Sequence, residues 1–120
     1  MMKYSDSLKK NKDFQKVYKN GTSKANRYLV MYVLPTECAK NRLGISVSKK
    51  VGNSVVRHRV TRLIREIYRL HELEIRPGVD IVVVGRPSVR NLPYAQVESA
   101  MLQLCDRTGI REEKSEQQYG

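Results

Sequence analysis

Apolar residues recur along this chain with two periods, one helical and one extended, and their alternation sets out the fold. Residues 9–20 (KKNKDFQKVYKN) place Phe14, Val17 and Tyr18 at i, i+3 and i+4, which predicts a short helix with one apolar face. Gly21 follows, where a helix C-terminus favours a residue that tolerates positive φ. Residues 27–34 (RYLVMYVL) read as a strand, with Leu29, Met31 and Val33 on one side and Tyr28, Val30, Tyr32 and Leu34 on the other. After a turn over 35–41, residues 42–48 (RLGISVS) alternate cleanly. Leu43, Ile45 and Val47 make an apolar face, while Gly44, Ser46 and Ser48 make a flat, small, polar one that leaves room for something to lie on it.

Asn53 or Ser54 can cap a helix that the pattern carries to about residue 73, with Val56, Val60, Leu63, Ile64, Ile67 and Leu70 as its buried stripe. Pro77-Gly78 ends that pattern. Residues 80–85 (DIVVVG) are apolar on both faces, as a central strand requires. Residues 87–93 read as a loop and 94–107 as an amphipathic helix, with Val97, Met101, Leu104 and Cys105 inward. The order α-β-β-α-β-α, with a short strand near 22–24, describes an α+β domain whose small sheet is partly parallel. A chain of 120 residues suits one such domain; we expect it over 1–109, with 110–120 a polar, mobile tail.

Charge changes the picture from fold to partner. The net charge is +11 and the isoelectric point about 9.9. The cations cluster: no Asp or Glu occurs from Cys38 through Arg65, while Lys40, Arg42, Lys49, Lys50, Arg57, Arg59, Arg62 and Arg65 all do. On the helix, His58, Arg62, Arg65 and Arg69 line the face opposite the apolar stripe, with Arg57 and Arg59 at its borders, and Glu66 is the sole acid between Lys49 and Arg69. Like charges at helical spacing repel, so folding does not call for this pattern. A polyanion that neutralises it does, and RNA is the best candidate.

Other chemistries find little support. Cys38 and Cys105 form no CxxC pair, so a zinc site is not expected and reduced thiols are. No apolar run reaches the length of a membrane span and the N-terminus lacks a signal core, which points to a cytoplasmic protein. Metal-dependent nucleases need clustered carboxylates, and the acids here are dispersed. His58 and His71 stand too far apart to form an acid–base pair, and no Gly-rich loop with GK[ST] occurs. A strand, rather than a helix and tight turn, precedes the arginine helix, which argues against a DNA-binding helix-turn-helix.

Three stretches, LKKNKDFQKVYKNG, GTSKANRYLVMYVL and RLGISVSKKVGNSVVRHRVTRLIRE, closely resemble the bacterial ribonuclease P protein subunit, and the correspondence spans roughly residues 5–107. The resemblance implies a compact α-β-β-β-α-β-α sandwich, similar to some ribosomal proteins, with a left-handed β-α-β crossover. It also implies a large catalytic RNA as partner in a 1:1 ribonucleoprotein. That particle cuts the 5′ leader from precursor transfer RNA with Mg²⁺ held mainly by the RNA, so no catalytic or metal-ligating residue is expected on this chain. By the resemblance, Phe14, Tyr18 and Tyr32 line a cleft for the single-stranded leader. Ser46 and Ser48 belong to its floor with Gly44, and Lys12 lies nearby. Lys49, Lys50, Asn53, Arg57, His58, Arg59, Arg62, Arg65 and Arg69 face the catalytic RNA, and Lys16, Arg86 and Arg90 are weaker candidates. One departure stands out: the motif's usual Arg-Asn-Arg appears as Arg57-His58-Arg59, which exchanges an amide's paired donor and acceptor for an imidazole. Two rivals fit the basic helix without the cleft: a general or ribosomal RNA-binding protein, and a protein-only nuclease.

Overall fold

A computed structural model describes residue 2 and residues 4–112. In chain order the elements are β1 (Ser5–Ser7), α1 (Asn11–Asn20), β2 (Thr22–Ala25), β3 (Leu29–Pro35), β4 (Asn41–Val47), α2 (Ser54–His71), β5 (Val79–Gly85) and α3 (Tyr94–Arg107). Single 3-10 turns sit at Glu72–Glu74 and Pro87–Val89. The five strands form one mixed sheet in the order β1-β4-β5-β3-β2, with β1, β4 and β5 parallel and β3 antiparallel to both its neighbours. The expected central strand, β5, is at the centre and its residues 79–83 are fully buried.

Register assigns the two faces. Leu43, Ile81 and Val33 lie side by side across β4, β5 and β3, and this face meets α2 and α3 in the main core. Gly44, Val82 and Tyr32 form the neighbouring row on the reverse face. There Val82 packs with Val17 and Leu8 in a small second core that seats α1 alone. The sheet is thus a middle layer, with two helices on one side and one on the other.

The structure departs from the pattern reading at four places. β1 (SDS) was not expected, because three polar residues carry no alternation; its parallel pairing with β4 and a 2.8 Å bond between Ser5 Oγ and the Tyr68 hydroxyl hold it. On α2 the buried residues are Val60, Ile64, Ile67 and Tyr68, whereas Leu70 is 53% exposed. A stripe at i, i+4, i+7 and i+8 rotates Leu70 off the core, and the helix ends at His71 rather than residue 73. Gly21 has φ −82°, so left-handed backbone is not what selects it. A Cβ there would come within 2.6 Å of the Val33 carbonyl oxygen and 2.7 Å of that of Val17: the glycine lets α1's end press against β3. Finally, packing continues past Gly109. Ile110 is buried, and Arg111 bridges to Ile75 and ion-pairs with Glu74. The rest of the expected tail, 113–120, lies outside the described residues.

Candidate nucleic-acid interface

The cationic surface begins at the end of β4. Ser48 lies just beyond that strand, and its hydroxyl accepts the Lys50 amide N–H at 3.3 Å in a tight turn that leaves Lys49 and Lys50 exposed. Asn53 then caps α2, its side-chain oxygen accepting the Val56 N–H at 3.0 Å. With no glycine or proline between 54 and 71, the helix runs unbroken and its inner stripe is committed to the main core. That commitment fixes the outer face. His58, Arg59, Arg62 and Arg65 are exposed there, and among the described residues none of the four joins an ion pair.

Three arginines of the helix, Arg57, Arg59 and Arg69, are held in part by the fold. Arg69 grips Glu66 with two hydrogen bonds, at 2.6 and 3.0 Å, which hold the Glu66 carboxyl below its usual range. Arg59 donates from Nη2 to the Leu92 carbonyl at 3.2 Å and so braces the loop ahead of α3. Arg57 is half-buried, and its buried Nε has no hydrogen-bond partner. The aligned, unpaired guanidiniums suit phosphate, since each planar fork can donate two parallel hydrogen bonds.

The second candidate surface is the reverse face of the sheet beside α1. Phe14 and Tyr18 share one side of α1, with ring centroids 6.4 Å apart. Tyr18 meets Tyr32 of β3 edge-on at 4.9 Å. The three rings are half-buried, so each packs against the small core and keeps part of its surface free. The room at Gly44 is filled from within: a Cβ there would lie 2.7 Å from the tip of the Phe14 ring. The open part of the face is therefore the next row, Ser46, Val84 and Val30, all half-buried. Ser48 belongs to the turn instead, and Lys12 is exposed on α1.

What positions α1 was only half legible in sequence. Asp80, 3% exposed, receives two hydrogen bonds from Arg42, from Nε at 2.9 Å and Nη2 at 2.7 Å, and Arg42 reaches on to Asp13 of α1 at 3.5 Å. The bonding to Asp80 raises Arg42 above its ordinary value. Arg42 thus leaves the free cationic set and locks the helix to the sheet. An arginine partner for Asp80 was foreseeable, since a buried carboxylate needs one; the reach to Asp13 comes from tertiary packing. Arg86 likewise spends one donor on the Asn26 carbonyl at 2.8 Å.

Elsewhere the chemistry is structural. Cys38 and Cys105 are free thiols, Cys105 being buried and pushed up to about 12 by that burial. Among the described residues no group of three or more His, Cys, Asp or Glu gathers to hold a metal ion, and no helix is long and apolar enough to cross a membrane.

Comparison with known proteins points one way. The sequence model of the family described as Ribonuclease P matches residues 2–109. The ribonuclease P protein component of Lachnoclostridium phytofermentans is 57% identical over 101 residues, covering 84% of this chain and 87% of that protein. The Clostridioides difficile protein of the same name is 48% identical over 104 residues, with 86% and 91% covered. Among solved structures, a Staphylococcus aureus RNase P protein superposes with a TM-score of 0.84 at 37% identity, covering 90% of this chain and 99% of that one. The Thermotoga maritima protein gives 0.78 at 31% identity, with 85% and 96% covered.

Proposed function

The chain belongs to the bacterial ribonuclease P protein family, and from that premise we propose how its two surfaces divide the work. As the protein subunit of ribonuclease P it serves in maturing the 5′ end of transfer RNA, with an RNA as its partner in the holoenzyme. In our reading the exposed arginines of α2, with Lys49 and Lys50, dock on the catalytic RNA. The Phe14, Tyr18 and Tyr32 rings, with Ser46 beside them and Lys12 near, hold the 5′ leader of precursor transfer RNA. The RNA performs the bond cleavage, and one protein joins one RNA.

The observation that carries this reading is the pairing pattern on α2: its acid is taken by Arg69, and among the described residues three other arginines of the outer face, Arg59, Arg62 and Arg65, stand without an acidic partner. Such contacts orient a phosphate backbone without reading its sequence, and A-form RNA, whose major groove is closed to side chains, is recognised in that way. Half-exposed rings suit a single strand, because every base has a face to stack and stacking tolerates any sequence. A general RNA-binding protein has no need of that second surface. The described residues do not gather a carboxylate set fit for Mg²⁺, and in this proposal the RNA holds the cation.

The test is reconstitution. Adding the purified chain to a bacterial ribonuclease P RNA at physiological Mg²⁺ is expected to restore 5′ maturation that the RNA alone performs poorly. Equal maturation without the chain contradicts the proposal, and so does cleavage by the chain without RNA.

A further inference from the structure

Between α2 and the start of α3, along the edge of the cationic face of α2, runs a groove of about 500 Å³. Val55, Leu63 and Tyr94 give it apolar walls, and His58, Arg59 and Arg62 give it hydrogen-bond donors. Val55, His58, Arg59, Arg62 and Leu63 follow one another at helical i+3 and i+4 steps, so they form one stripe along α2. One feature is not what packing asks for: Val55 is 75% exposed on the helix's first turn. Tyr94, at the first position of α3, packs against the edge of the main core and stays half-buried, so part of it also lines the groove. The Arg59 bond to the Leu92 carbonyl, two residues before Tyr94, holds the two walls at a fixed spacing. Glu66 closes the far end, held by Arg69.

We propose that this groove receives one unstacked nucleobase of the catalytic RNA, lying on the Tyr94 ring while its flanking phosphates meet Arg59 and Arg62. Charge complementarity selects the occupant: an apolar slot rimmed by cations fits a flat base with a polyanionic backbone. Glu66 repels phosphate at the closed end, and a base edge bearing N–H groups can face it there. The groove also gives His58 a place: the imidazole opens onto the base, a planar group in a slot for a planar ligand. This inference rests on the docking of α2 proposed above and adds a base contact to its phosphate contacts.

The two kinds of contact respond differently to salt, which makes the proposal testable. Affinity for a bacterial ribonuclease P RNA transcript is measured across a salt series for the full chain and for Tyr94→Leu and Tyr94→Phe. Loss of stacking in Tyr94→Leu is expected to weaken binding about 5- to 150-fold with the salt slope unchanged. Tyr94→Phe keeps the ring and is expected to bind as the parent does, which guards against an effect of misfolding. Unchanged affinity in Tyr94→Leu, a reduced salt slope, or equal loss in both variants overturns the base slot. Sedimentation of the same samples covers a protein occupant: self-association lost in Tyr94→Leu with RNA affinity intact also overturns it. If the parent chain itself fails to bind the RNA, the docking of α2 fails rather than the groove alone.

Discussion

The two sides of the sheet solve opposite problems. On the α2 side, structure and proposed function use different residues: the inner stripe of Val60, Ile64, Ile67 and Tyr68 builds the core, while the outer arginines are free of it. On the α1 side the same residues serve both ends. Phe14 fills the space at Gly44, and Tyr18 leans on Tyr32, yet these are the rings proposed to stack on the leader. A docking surface can therefore change on α2 with little effect on stability, whereas changes around α1 alter fold and binding together.

The Arg42 lock should show this coupling most strongly. Arg42→Met leaves the nearly buried Asp80 carboxylate without its two-pronged partner, and we expect a loss of about 2–4 kcal/mol in denaturant unfolding. Breaking a fully buried pair costs more, and the partial exposure of Arg42 reduces it here. Gly21→Ala comes next. Its methyl group meets two backbone carbonyl oxygens that cannot turn aside, and about 1–3 kcal/mol of stability should go, together with leader affinity. On α2 the comparison reverses. Arg62→Ala and Arg65→Ala should each lower the salt slope of binding to the ribonuclease P RNA by about one, with stability within about 0.5 kcal/mol of the parent. Either variant unfolding early would break the contrast between the two sides.

The smallest effect lies where α2 meets α3. His71 Nδ1 is 2.7 Å from Glu74 and Nε2 is 2.8 Å from Glu98, and Arg111 holds Glu74 from the far side. Burial works against the imidazolium, but the two carboxylates outweigh it and raise His71 above 6.5; Glu74, for all its burial, is held below 4.5 by His71 and Arg111. A raised histidine contributes stability below its unfolded value that is lost as pH climbs through the folded one. A lowered carboxylate contributes above its unfolded value and loses that as pH falls through the folded one. The melting-temperature advantage of the parent over His71→Gln should therefore peak between about pH 4.5 and 6.5 and shrink on both sides. A difference that stays flat from well below pH 4.5 to well above pH 6.5 would remove the clasp from the account.

Much of this was legible in the chain. The apolar stripes marked all three helices, the doubly apolar run of 80–85 marked the sheet's centre, and the acid-free basic run marked the cationic helix. What escaped has a common physical cause: it depends on long-range partners with no local period. β1 is three polar residues held by β4 and Tyr68. The reason for Gly21 lies in β3, and the space at Gly44 is claimed by a ring from α1. The exchange of Leu70 for Tyr68 in the core came from a turn of the helix's inner face toward Tyr68 and one hydroxyl partner.

The central claim, two separable RNA surfaces on opposite sides of one sheet, is tested most directly by precursor against mature transfer RNA affinity in the reconstituted holoenzyme. Removing rings, as in Phe14→Ala with Tyr18→Ala, should weaken precursor binding and spare the mature form, which lacks a leader. Removing cations, as in Arg62→Ala with Arg65→Ala, should weaken assembly with the ribonuclease P RNA and leave the precursor-to-mature ratio of the assembled particle unchanged. Equal weakening of precursor and mature RNA by the ring variants would contradict the account.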